Sequence, residues 1–135
     1  MNPFLMSKPT LTPLQRADYL ISLNPSYPFA DALNLSLLYQ EEGGVEGVNA
    51  DVAFAQMLLE TNDLRFGGQV RASQNNFAGL GAVDGGAAGL SFPNPRLGVR
   101  AQIQHLKYYA GTAPLVEPPV NPRLKWIRRA CAPTV

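Results

Sequence analysis

Asp51-Val-Ala-Phe-Ala-Gln-Met-Leu-Leu-Glu60-Thr61 is the stretch on which the fold turns. From Val52 to Leu59 the only polar side chain is Gln56, and a carboxylate, Glu60, stands where the apolar run stops. A helix apolar on nearly every side is a buried helix. Asn49 or Asp51 can cap its start, because a short polar side chain there accepts a backbone N–H. The acid at the far end is harder to explain as stability. The carbonyl end of a helix carries partial negative charge, so an acid there costs roughly 0.3–1 kcal/mol. A carboxyl held against apolar surface resists ionisation, and a protonated carboxyl is what a glycosidase general acid needs. The plainer alternative is a solvated Glu at a fraying helix end.

Outward from this helix the chain reads as one mainly α domain. Residues 1–11 hold two prolines and no periodicity, and read as an extended N-terminal arm. Thr12-Pro13 opens a first helix, with Leu14, Ala17, Leu20 and Ile21 on its buried face and Asn24-Pro25 as its stop. A second helix runs from about Phe29 to Glu42, with Leu33, Leu37 and Leu38 on one side, and Gly43-Gly44 supply its exit. The central helix is expected over Asp51 to about Leu64.

Residues 66–91 change character. Gly67, Gly68, Gly79, Gly81, Gly85, Gly86 and Gly89 leave no room for a helix. Phe66, Val70, Phe77, Leu80 and Val83 argue for a packed lobe, with short strand pieces expected around 77–83. Pro95 starts another helix, with Val99, Ile103, Leu106 and Ala110 on one stripe and Gln102, His105 and Tyr109 on another, ended by Gly111. Pro114, Pro118, Pro119 and Pro122 mark an extended connection before a short basic helix over 123–130. A cleft between helical body and lobe is a natural seat for an extended ligand, with Glu60 at its edge.

Composition narrows the partners. The chain has 135 residues, 46% of them hydrophobic, and a formal net charge of +1. That length buries a real core, and so small a charge recruits neither nucleic acid nor an anionic membrane. Cys131 is the single cysteine and His105 the single histidine, so neither an internal disulfide nor a metal cluster is expected. No apolar run approaches the ~20 residues of a membrane span, and Met1 to Lys8 holds no basic leader followed by a long apolar segment.

The run from Glu46 through Thr61 resembles the core motif of bacterial glucosaminidase domains, the lysozyme-like peptidoglycan hydrolases of glycoside hydrolase family 73. Leu64-Arg65-Phe66-Gly67-Gly68, Gln74-Asn75-Asn76-Phe77-Ala78-Gly79, Ser91-Phe92-Pro93 and Gly98 through Lys107 extend the likeness over roughly 12–130. It is most similar to the subgroup labelled mannosyl-glycoprotein endo-β-N-acetylglucosaminidase. The resemblance implies a lysozyme-like helical body with a small glycine-rich lobe and a cleft between them. It implies cleavage of the β-1,4 bond after N-acetylglucosamine in peptidoglycan or a related glycan, without a cofactor, by a monomer working in the cell envelope or outside the cell.

By the same resemblance Glu60 matches the general acid. Asp84, in the lobe, is the candidate second catalytic group; an inverting, retaining or substrate-assisted route stays open. Asp63 and Glu41 read as solvated surface, while Glu42 and Glu46 read as either surface or cleft lining. Gln56, Asn75, Asn76, Phe77 and Tyr109 are the candidate substrate-binding residues, each with a structural alternative: turn chemistry for the asparagines, lobe core for Phe77, and a satisfied core hydroxyl for Tyr109. His105 reads as a structural hydrogen bonder. Two departures stand out. Relatives usually read Glu-Thr-Gly-Trp where this chain reads Glu60-Thr61-Asn62-Asp63, and relatives continue past Ala132-Pro133, so a domain shortened at its C-terminal end is expected. A non-catalytic glycan-binding module and a helical interaction domain are the competing readings.

Overall fold

The computed structural model describes residues 3–81, 89–126 and 128–130, and among them the regular structure is helical throughout. Helix α1 spans Pro13–Leu23, α2 Phe29–Glu46, α3 Ala50–Glu60 and α4 Pro95–Ala110, with single 3-10 turns at Ala72–Gln74 and Leu124–Trp126. The fold is mainly α, consistent with a lysozyme-like helical body.

The helix starts follow from local chemistry. Thr12 and Gln15 form a reciprocal capping box ahead of Pro13. The Asn49 side chain accepts the N–H groups of Asp51 and Val52, and Asn94 accepts that of Leu97. Helix α2 lies against the other three. Between them sits a core that includes Leu20, Tyr39, Phe54, Met57, Val99 and Ile103, with Tyr39 and Phe54 edge to face at 5.5 Å.

Several boundaries and faces differ from the sequence reading. Helix α2 passes straight through Gly43-Gly44 and ends at Gly47, whose φ is 77°. Gly43 serves close packing instead: a Cβ there would stand 2.8 Å from the Val48 carbonyl oxygen. The buried stripe of α2 is Ala32, Leu35, Ser36, Tyr39, Glu42, Gly43 and Glu46. Leu37 is exposed and Leu33 and Leu38 are half-buried. On α1, Leu14 is exposed while Arg16 is buried. Helix α3 stops at Glu60 rather than near Leu64, and it leaves Leu59 85% exposed. The helix buried on most sides is α4, where Gln102, Gln104, His105 and Lys107 are buried together with Val99 and Ile103. The expected basic helix over 123–130 is only a 3-10 turn among the described residues.

Buried charges are paired across elements. Glu42 receives Arg100 at 2.6 Å and Arg96 at 2.8 Å. Glu46 receives Lys107 at 2.9 Å and the backbone N–H groups of Val116 and Glu117. These two glutamates are thus neither solvated surface nor cleft lining; they tie α2 to α4 and to the proline-rich connection. Burial alone would raise both carboxyls, but the cationic and N–H donors outweigh it and hold them below the ordinary 4.5. Asp51 joins three segments: Oδ1 accepts from Arg16 at 2.7 Å, and Oδ2 from the N–H groups of Thr10 and Leu11. The arm therefore lies on the body, with Leu5 buried and its carbonyl bonded to Asn49 N–H.

The described part of the lobe is held by side chains together with two backbone bonds, Leu90 N–H to the Leu80 carbonyl and Phe92 N–H to the Gln74 carbonyl. Asn76 donates to the carbonyls of Leu80 and Leu90 and accepts the Leu80 N–H, all at 2.9 Å. No strand forms over residues 77–81, where Gly79 and Gly81 take positive φ; residues 82 and 83 lie outside the described residues. The lobe docks on α4 at Gly98, where a Cβ would fall 1.8 Å from the Asn75 carbonyl oxygen. Only glycine permits that approach.

Candidate active site

Glu60 is the last residue of α3, and its side chain is exposed. The expected apolar enclosure is absent, because the chain turns away immediately after it. Asn62, Asp63, Leu64 and Phe66 all have φ between 52° and 65°, and Gly67 has 94°. Non-glycine residues rarely adopt this left-handed region, and such conformations persist only where their surroundings over-determine them.

Here Thr61 supplies much of that determination. Its buried hydroxyl donates to the Met57 carbonyl at 2.8 Å and accepts the Leu64 N–H at 2.9 Å. The Asn24 amide holds the Asp63 carbonyl, and Phe66 N–H returns to the Thr61 carbonyl. Asp63 lies 3.6 Å from Arg65.

The turn and the first part of the lobe enclose a furrow of about 440 Å³ that contains Glu60. Leu59, Phe66 and Val70 give it apolar walls, and Asn62 and Gln69 polar ones. Across from the helix, the lobe comes close to the carboxylate through Gly79. A Cβ on that residue would lie 3.6 Å from Glu60 Oε2.

The other predicted site residues are dispersed. Phe77 is buried, and with Asn75 it lines a second cavity; Phe66 belongs to the walls of both cavities. Asn75 takes a φ of 53° and donates to the Phe92 carbonyl, while Asn76 is fully engaged in bracing the lobe. Gln56 Oε1 accepts from Gln102 at 2.9 Å, and Gln102 in turn bonds Ala53 and Tyr39. Tyr109 packs edge-on to His105 at 6.1 Å. Neither Gln56 nor Tyr109 is among the residues lining the Glu60 furrow. Asp84 lies outside the described residues. Phe66 was read only as lobe core; its wall position follows from a left-handed φ that composition does not announce.

An exposed carboxylate at a helix end, standing in an open furrow beside a glycine-rich lobe, defines a helical protein with an open groove. The profile of the glucosaminidase family, described as mannosyl-glycoprotein endo-beta-N-acetylglucosaminidase, matches residues 36–125, and the chain belongs to that family. A Borreliella burgdorferi protein described as uncharacterized is 38% identical over 133 residues, which cover 98% of this chain and 65% of the relative's own length. No solved structure matches. Among the described residues, no helix is long and apolar enough to cross a membrane.

Proposed function

We propose that this chain is a glycoside hydrolase that cleaves the β-1,4 bond after N-acetylglucosamine in peptidoglycan strands, with Glu60 as general acid. The observation that carries this reading is the position of Glu60: at the end of α3, in the furrow, with Gly79 of the lobe across from its carboxylate. A glycan strand lying in the furrow would present its glycosidic oxygen to Glu60, which protonates it while positive charge builds on the sugar ring. Gly79 brings backbone, rather than a side chain, up to that point. Asp84 is the proposed second group, stabilising that charge or activating water. No cofactor enters this scheme, and the protein would act as a monomer in the cell envelope or outside the cell. Family membership supports the glycosidase class; the bond and the residue roles are our assignment.

The test is to digest purified cell wall with the protein and identify the new reducing end by mass. Wild type should release fragments ending in N-acetylglucosamine. Glu60→Gln should lose at least a hundredfold in rate, in line with removal of general acid–base catalysis at roughly 10²–10⁴, and keep its melting temperature. Undiminished release by Glu60→Gln would remove Glu60 from the mechanism. The exposure of Glu60 favours a second reading, a glycan-binding module without catalysis. That reading expects wall fragments to bind and no reducing ends to appear.

A further inference from the structure

Beside the Glu60 furrow lies a second cavity of about 370 Å³, and Phe66 lines both. The size falls at the lower end of small-ligand sites, roughly 300–1,000 Å³. Leu35, Leu38 and Phe77 supply apolar lining, while Tyr27, Asp31 and Asn75 bring polar groups. Asp31 is the one formal charge among the lining residues. Among the described residues it takes part in no ion pair. Its field already reaches Tyr27, whose hydroxyl is raised above the ordinary 10.0 first by burial and then by the Asp31 charge.

These features select an occupant. An anion would be repelled by Asp31. Asp31 is exposed, on the first turn of α2 at the cavity's mouth, so a neutral apolar group would fill the apolar part and leave that charge without a partner. A bare cation would leave the leucines and Phe77 without a partner. An aliphatic chain ending in a cation satisfies both halves. We propose that this cavity binds an aliphatic side chain carrying a primary ammonium, as a diamino acid does in the peptide branch of a wall glycan. Asp31 pairs with the ammonium, and Leu35, Leu38 and Phe77 surround the methylenes. The source of the peptide rests on the hydrolase reading above: a strand in the furrow would carry its branch past Phe66 into the adjoining space.

The test uses the full chain bearing Glu60→Gln, so that nothing turns over. A stem peptide with a free diamino-acid amine is titrated and followed by NMR, alongside the same peptide acetylated on that amine. The free-amine peptide should bind with shifts centred on Tyr27 and Phe77. Acetylation should weaken it about tenfold, and adding Asp31→Asn should weaken the free-amine peptide alone by a similar factor. Circular dichroism verifies folding, and Tyr27→Phe serves as a second variant, with a smaller loss expected. Equal affinity for the two peptides, no binding at all, or indifference to Asp31→Asn would overturn the proposal. The wall digestion reads the other claim separately. A protein that cuts glycan but ignores the amine keeps its hydrolase assignment and loses this pocket; one that binds the amine and releases no reducing ends does the reverse.

Discussion

The seam between α2 and α4 and the turn after α3 treat polar groups in opposite ways. Along the seam Glu42, Glu46 and Lys107 are buried and every one is paired. Among the described residues no buried side-chain nitrogen or oxygen lacks a hydrogen-bond partner. At the end of α3, Glu60 stands in the open, and the backbone behind it is held in left-handed conformations. Compensated charge with relaxed backbone marks the part of the molecule that holds the fold. Uncompensated charge on constrained backbone marks the part that meets a ligand.

That contrast can be broken at either region. The largest effect is expected for Gly98→Ala. Its methyl would fall 1.8 Å from the Asn75 carbonyl oxygen, so the lobe must lift from α4. A loss of about 3 kcal/mol or more is expected, read as a melting temperature lower by roughly 10 °C, with new exchange of lobe amides. Lys107→Met comes next. It strands the Glu46 carboxylate with only the Val116 and Glu117 N–H groups, and about 3 kcal/mol should be lost, the lower end for breaking a buried pair. A change under 1 kcal/mol in the urea midpoint would show that the seam does not depend on that pair. Thr61→Val removes the hydroxyl that bonds Met57 and Leu64 and leaves the Leu64 N–H buried without a partner. Roughly 1–2 kcal/mol is expected, with Thr61→Ser restoring most of it.

The smallest effect is a first step in acid sensitivity. Burial lowers His105 below the ordinary 6.5. An amide nitrogen only donates, so the Nε2 that faces Asn121 Nδ2 at 2.9 Å accepts, and His105 is neutral in the fold. The unfolded chain takes up a proton near 6.5 while the native one resists it. Stability from this residue is therefore full above 6.5 and declines as pH falls below it. The carboxylates follow the same sign at lower pH: Glu42 and Glu46, held below 4.5, and Asp51, held below 3.8, contribute above those values and lose their contribution beneath them. Melting temperature against pH should bend near 6.5 and again, more steeply, below 4.5. His105→Gln should erase only the first bend.

How legible this was depends on the kind of signal. Helix starts are local, and Thr12-Pro13, Asn49 and Asn94-Pro95 announce themselves in a few residues. Helix α2 misleads because its buried stripe carries Ser36, Glu42 and Glu46 while Leu33, Leu37 and Leu38 lie off it, so hydrophobic periodicity selects the wrong face. The partners that make those glutamates buriable, Arg96, Arg100 and Lys107, lie 54 to 61 positions away, and no local pattern joins them. Glu60 is marked by its place at the end of the apolar run; the structure ends the helix there, earlier than the expected Leu64, and leaves the side chain exposed. Asn76 reads as either a sugar contact or a turn residue, and its side chain braces the lobe. The second cavity had no signal at all, since Tyr27, Asp31 and Phe66 meet only through tertiary packing and one left-handed φ.

Asp51 ties together the arm through Thr10 and Leu11, α1 through Arg16, and the first turn of α3 to which it belongs. Three stretches that share one carboxylate cannot come undone one at a time. Deuterium uptake at the Leu11 amide and in the opening turn of α3 should therefore report a single shared opening, making the leading segment a working member of the cooperative unit rather than a trailing end.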